Sequence, residues 1–304
     1  MAADILLFGR NGQVGWELQR SLAPLGKVLA LASADCDLCD AEAVARAIRE
    51  AAPRIIVNAA AYTAVDKAES DAAPAMQINA QAPAVMAAEA RRLGARLVHY
   101  STDYVFDGHK ATPYVETDAP APQGVYGRSK HAGELAIAAS GADALILRTS
   151  WVFGAHGGNF VKTILRLARE KDSLRVVDDQ IGSPTPAALV ADVTALALAR
   201  LRQEDMTGVA TERAQVFPQL FHLCAANPLS WYRFAVAIVE QAHAIGLAGL
   251  KLWPEAIVPI STQEYPLPAP RPANSRLDCR KLEQRFDLHL PGWQPYLERM
   301  LAGG

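Results

Sequence analysis

The sequence predicts an α/β protein built on a doubly wound parallel sheet. Three observations predict it. Short apolar runs recur through residues 4–148, and helical patterns separate them, as in successive βαβ units. The runs are continuously apolar and not alternating, as in strands covered on both faces. The first run ends in a glycine-rich turn that opens a helix.

Asp4 to Gly9 reads as the first buried strand. Gly9-Arg10-Asn11-Gly12-Gln13-Val14-Gly15 follows, then a helical pattern from Trp16 to Leu25. A glycine turn between strand and helix lets backbone N–H groups approach a pyrophosphate at the helix N-terminus. The spacing is G-x-x-G-x-x-G, and with its flanking strand and helix it predicts a dinucleotide site of Rossmann type. Val28 to Ala32 is the second strand. The loop after it, Ser33 to Leu38, contains no arginine, and no acid stands directly at the strand end. NAD and NADP therefore both stay open as cofactors. Asp37 and Leu38 are placed to contact an adenine, and Asp37 also reads as the N-cap of a helix over Ala41 to Ala51.

Arg54 to Asn58 is the next strand, and the small residues after it, through Ala61-Tyr62-Thr63, let a cofactor lie close to the backbone. Helical segments begin near Asp66 and run from Asn79 to Leu93. Arg96 to Tyr100 forms a strand ending at Ser101-Thr102-Asp103. Ligands of open α/β sheets sit outside the carboxyl ends of the strands, which places Thr102 and Asp103 for chemistry or for loop capping. Residues 107–124 read as a loop, and a helix to about Ser140 precedes the strand Ala144 to Arg148. Beyond residue 150 the sequence predicts a helix over Asn159 to Glu170, a strand over Arg175 to Asp178, and an alanine-rich helix over Pro186 to Arg202 that returns to the sheet. The expected division is a dinucleotide domain of residues 1–150 plus about 183–203, and a smaller C-terminal α/β substrate domain of about 151–182 plus 204–304. Thr207 to Phe221 is expected to be a loop of the latter, with no assigned role.

The chain has 304 residues, is 51% hydrophobic and 20% charged, and carries a net charge of −2. That is the composition of a globular protein with a sizeable core. It argues against a nucleic-acid partner, which asks for a basic face. No apolar run approaches a membrane span, and the first residues carry no secretory signal, so a cytoplasmic location is expected. The cysteines at 36, 39, 224 and 279 offer no paired zinc spacing. Cys36 and Cys39 make a C-x-x-C, with a redox role weighed against ordinary thiols.

One further stretch, Tyr126-Gly127-Arg128-Ser129-Lys130, puts a phenol and an ammonium on one helix face. A nearby cation is expected to lower the phenol's pKa and make Tyr126 a usable acid or base. Lys162, Arg166 and Arg271 are candidate anion ligands, and a solvated helix face explains the first two equally well.

The glycine turn, Asn58-Ala59-Ala60, Thr102 at a strand end and Tyr126-x-x-x-Lys130 together resemble the extended short-chain dehydrogenase/reductase superfamily. Longer stretches narrow this: 58–69, 101–108, 148–152 and 271–275 look like the dTDP-4-dehydrorhamnose reductases. The resemblance spans nearly the whole chain. It implies NADPH- or NADH-dependent reduction of a dTDP-linked 4-keto sugar to dTDP-L-rhamnose. It implies that Gly12, Gln13 and Val14, in a turn framed by Gly9 and Gly15, hold the pyrophosphate, with Asp37 and Leu38 at the adenine and Ala61, Tyr62 and Thr63 opposite. It makes Tyr126 the proton donor, Lys130 a ribose ligand, Thr102 and Asp103 sugar contacts, and Trp151 a wall of the sugar pocket. The related 4,6-dehydratases use a second acid after the threonine-acid pair, where Tyr104 stands here. Sugar-nucleotide epimerases and a non-catalytic regulatory subunit share the superfamily's fold and stay open beside the reductase. Some members form dimers joined by magnesium. Glu17 stands where one ligand belongs, but Ala188 and Gly292 stand where others do. One carboxylate is a poor magnesium site, so no tight metal is expected, and monomer and homodimer both stay open.

Overall fold

The computed structural model describes residues 3–207 and 218–303. Six strands make the main sheet: β1 (Ile5–Phe8), β2 (Val28–Leu31), β3 (Ile55–Asn58), β4 (Arg96–Thr102), β5 (Ala144–Thr149) and, far along the chain, Gln219–His222. With Leu174–Val177 as β6, that last strand is β7, and Ile257–Ile260 is β8. The sheet runs β7-β5-β4-β3-β1-β2, and every pairing in it is parallel. From β1 the chain goes first to one neighbour, β2, and then back to the other, β3. The order therefore reverses at β1, and a crevice opens there beyond the strand ends.

The apolar runs fold this way because both faces are covered. Leu6, Phe8, Ile56, Leu97 and Ile146 pack on one face. Ile5, Leu7, Val57, Val98 and Leu145, displaced by one residue, pack on the other. Period-two geometry divides each continuous run between two cores. The first core takes α2 (Ala41–Ala51), α3 (Ala82–Leu93) and α4 (Val125–Ser140). The second takes α1 (Gln13–Leu22), α5 (Phe160–Glu170) and α6 (Ala187–Thr207). The expected return of the alanine-rich helix is observed, since α6 packs along α1. α7 (Trp231–Ala244), α8 (Arg280–Phe286) and α9 (Gln294–Ala302) extend the second core, and β8 pairs in parallel with β6. No described helix is long and apolar enough to cross a membrane.

Several expectations are corrected. α1 begins at Gln13, three residues earlier than expected, because the glycine turn is tight enough to enter the helix directly. Asp37 is not the cap of α2: Asp40 is, accepting from the N–H groups of Glu42 and Ala43, while Asp37 accepts from Cys39 N. The segment over Asn79 is a wide π-turn, Gln77–Gln81, ahead of α3. Of the expected loop Thr207 to Phe221, residues 208–217 lie outside the described residues, Thr207 ends α6, and Gln219 to Phe221 belong to edge strand β7. The register Phe221 to Leu147 and His222 to Arg148 shows why: the apolar residue of β7 meets an apolar neighbour on the same face.

Candidate active site

The glycine turn comes first because it sets the position of everything else. Gly9 has φ +89°, and a Cβ on Gly15 would stand 2.0 Å from Gly9 O. Any side chain there would push α1 off the strand end. Gly12 is the N-cap of α1 and makes no side-chain cap bond, so first-turn N–H groups are available to an anion.

The turn forms one end of a cleft of about 550 Å³ along the carboxyl ends of β1 to β5. Gly9, Gly12, Gln13, Val14, Asp37, Leu38, Ala61, Thr63, Tyr126 and Lys130, all expected from the sequence, line it together. Gly15, Tyr62, Thr102 and Asp103 do not. Gly15 is buried under the turn, and Tyr62 is turned away, its hydroxyl donating to Asp71 at 3.1 Å and its N–H to Asn79 Oδ1 at 2.9 Å. The cleft is large enough for an extended dinucleotide. The buried Thr149 Oγ1, without a hydrogen-bond partner among the described residues, lines the same space. These features fit a dinucleotide.

At the other end α4 delivers Tyr126 and Lys130. A Cβ on Gly127 would meet Tyr104 O at 2.1 Å, so glycine lets the first turn of α4 lie against the chain leaving β4. The wide turn holds the helix from the other side, with Asn79 Nδ2 donating to Ser129 Oγ at 3.0 Å. The Tyr126 ring stands edge-on to Tyr104, centroids 5.5 Å apart. Thr102 Oγ1 donates to Asp103 Oδ1 at 3.0 Å and accepts from Tyr104 N at 3.2 Å.

The expected lowering of the Tyr126 pKa is not found. The protein around its hydroxyl pushes the phenol up to about 12, Thr102 pulls it back in part, and Asp103 adds to the rise. Lys130 does not act on it, because Nζ is engaged below, donating to Tyr100 O at 2.6 Å and lying 3.3 Å from His99 Nε2. Burial also pushes Lys130 down to about 8, with Glu134 opposing. Asp103, 3% exposed, is pushed up to about 6 by burial, against the hydrogen bond from Thr102.

Trp151 lies outside the cleft lining, in a left-handed backbone conformation with φ 48°, stacked on Trp231 of α7 at 3.4 Å. Nothing in the sequence pointed to Trp231, which stands well downstream on a separate helix. A second, smaller cavity lies beside Tyr104 and Phe106, with Arg271 in its wall. Arg271 is paired with Asp66 at 2.7 Å. Lys162 and Arg166 are exposed on α5, and Arg166 pairs with Glu170 at 2.9 Å. Glu17 pairs with Arg20 at 3.5 Å. Among the described residues no group of three or more His, Cys, Asp or Glu is arranged to hold a metal.

Sequence reasoning missed two features at the adenine end. Arg10 reaches across from the glycine turn to the end of β2, donating to Ala30 O at 3.2 Å and pairing with Asp35 at 3.3 Å. Asp35 in turn accepts from Ala32 N at 2.8 Å, so an acid does stand at that strand end. A motif confined to one loop does not reveal a cation that another loop supplies. Cys36 lines the cleft, and Cys39 is exposed. Burial first and Asp37 second push both thiols up, which opposes the thiolate a redox pair needs.

Fold and site define a dinucleotide-binding α/β protein of the Tyr-x-x-x-Lys class. The RmlD substrate binding domain model matches residues 3–303, and the chain belongs to that family. It is 50% identical over 291 residues to a dTDP-4-dehydrorhamnose reductase of Burkholderia thailandensis, covering 95% of each chain. It is 47% identical over 303 residues to one from Escherichia coli strain K12, covering 98% of this chain and 97% of that one. A crystal structure of dTDP-4-dehydrorhamnose reductase from Bacillus anthracis in complex with NADP superposes with a TM-score of 0.86 at 33% identity, with all of both chains covered.

Proposed function

We propose that this chain reduces the C4 ketone of dTDP-4-dehydro-L-rhamnose to dTDP-L-rhamnose, with NADPH or NADH as reductant. The carrying observation is the placement of one phenol, Tyr126, beside Lys130 in the lining of a cleft whose other end is the glycine turn. The bound cofactor supplies the hydride. Tyr126 supplies the one proton the reaction needs, and its high pKa keeps that proton in place at neutral pH. Thr102, whose hydroxyl hydrogen goes to Asp103 in this structure, would turn that hydrogen to the same oxygen as negative charge develops on it. Asp103 is positioned to accept from a sugar hydroxyl. Elimination of water would need a second acid, and Tyr104 occupies that place, packed against the Tyr126 ring. Gly12, Gln13 and Val14 are the pyrophosphate residues, and Lys130 the ribose ligand. Trp151 on Trp231, and Arg271 beside the smaller cavity, are the substrate-side residues. The dTDP-sugar is the partner, and the substrate lobe is built from residues 151–182 and 223–303.

The test is direct. NADPH mixed with the protein and the 4-keto-6-deoxy dTDP-sugar should be consumed, followed by absorbance of the reduced cofactor. No consumption with the correct ketone would remove the reductase reading. Arg10 gives a second handle. Its guanidinium is the cation within reach of a ribose 2′-phosphate at the end of β2. Arg10→Ala should raise KM for NADPH by roughly ten-fold, the worth of one charge-assisted hydrogen bond, and change KM for NADH much less. Equal effects on both would show that Arg10 only braces the turn.

A further inference from the structure

A second glycine segment faces the glycine turn across the cleft. Gly157 and Gly158, which the reaction scheme does not use, line the same space as Gly12 and Gln13. They belong to residues 154–159, the loop that leads into α5. The base of this loop is fixed. Asn159 Nδ2 donates to Gly154 O at 2.7 Å and to Gln13 Oε1 at 3.0 Å. Its Oδ1 caps α5, accepting from Lys162 N at 3.1 Å. Gln13 Nε2 completes the tie by donating to Val152 O at 3.3 Å.

The tip is held by one side chain. The His156 ring stacks on Trp16 of α1, centroids 4.3 Å apart and 5° from parallel. Its Nε2 donates to Asn11 O at 3.0 Å, because a carbonyl oxygen only accepts. Between this tip and the base stand Gly157, at φ +73°, and Gly158, where an added Cβ would meet nothing within 4 Å. Glycine changes backbone conformation at little steric cost, so the tip can swing on these two residues while the base stays. We infer that residues 155–158 are a clasp over the dinucleotide. Gly157 and Gly158 close on its pyrophosphate, and His156 is the latch that releases before a cofactor enters or leaves.

The latch has a kinetic signature of its own. Neither His156 nor Trp16 lines the cleft, and both contacts of His156 are with the protein. Their strength is therefore the same whether or not a cofactor lies beneath. A contact that stabilises the free and bound states equally changes no affinity. It changes the barrier between them, and with it the rates of entry and release together. A direct ligand behaves otherwise: its loss speeds release and leaves entry nearly unchanged. The clasp rests on the cleft holding a nicotinamide dinucleotide, and on no property of the sugar site.

Stopped-flow mixing with NADPH, followed by the change in its fluorescence, gives the entry rate constant. Displacement of bound NADPH by excess NADP gives the release rate constant. His156→Ala should raise both by about ten-fold, the worth of a stacked ring pair and one hydrogen bond, and leave Kd within about two-fold. Trp16→Leu removes the stack from the other side and should raise both rates by a smaller factor. Trp16 is 52% exposed, so this second variant folds even if the first does not. Unchanged rates would overturn the clasp. So would faster release with unchanged entry, which would make His156 a cofactor ligand. No binding of NADPH by the unaltered protein would refute the dinucleotide reading and the clasp together. The expected rates without NADPH consumption on adding the 4-keto sugar would refute the reductase reading and leave the clasp intact.

Discussion

Tyr126→Phe is expected to lower kcat by about 10²- to 10⁴-fold, the range contributed by one positioned acid, and to leave NADPH affinity within about two-fold. The ring stays, so its edge-on contact with Tyr104 at 5.5 Å stays, and α4 keeps its seat. What goes is the hydroxyl and the proton it carries. Steady-state kinetics with a cofactor titration by fluorescence separate the two quantities. Full turnover in the variant would force the chemistry onto another group, and Asp103, pushed up to about 6 by burial, would be the next candidate. Lost cofactor binding would show that the hydroxyl has a structural task.

Arg148→Leu is expected to destabilise the protein by about 3–5 kcal/mol, measured by urea unfolding, because it leaves Glu134 buried without its main partner. Both side chains are nearly sealed, at 3% and 6% exposure. Burial alone would raise the Glu134 pKa, but hydrogen bonds from Arg148 and His131 bring it down to about 2. A carboxyl lowered on folding stabilises the fold above its unfolded pKa of about 4.5, and that share is lost as pH falls from there through 2. In Arg148→Leu burial is opposed by little more than His131, and the carboxyl moves up instead. That variant then gains stability as pH falls towards 4.5, where wild type only begins to lose it. Parallel unfolding curves at pH 4.5 and 7 read this crossing. A loss under 1 kcal/mol would mean that water reaches Glu134.

The parallel strands and the cleft were legible because their signals are local. The run Ile5 to Phe8 is apolar at every position, which only a strand covered on both faces tolerates. The turn that follows needs glycine at 15 for its contact with Gly9 O, and at 9 for its left-handed φ, although a side chain at 9 would also strike Ala60 beyond β3. Tyr126 and Lys130 share a face because a helix repeats every 3.6 residues. By contrast, the capping of α2 turned on a choice between Asp37 and Asp40, two residues with equal credentials, and only the chain's path decided it. Strand β7 was hidden because an edge strand added from residue 219 pairs with β5, far back along the chain. Its four residues carry no periodicity strong enough to announce it.

By itself the sequence determined the parallel sheet, the glycine turn and the helix that carries a tyrosine and a lysine on one face. Each follows from residue spacing and the steric demands of neighbouring atoms. Only the tertiary structure decided what those two groups are electrically. The spacing places Lys130 beside Tyr126, yet Nζ lies against Tyr100 O and His99, and burial pushes the phenol up. A pKa is set by every group and every water molecule removed within several ångströms, and these arrive from β3, β4 and β5. The same holds for Arg10 at the end of β2. Linear spacing decides which residues share a face, and the packed surroundings decide their charge.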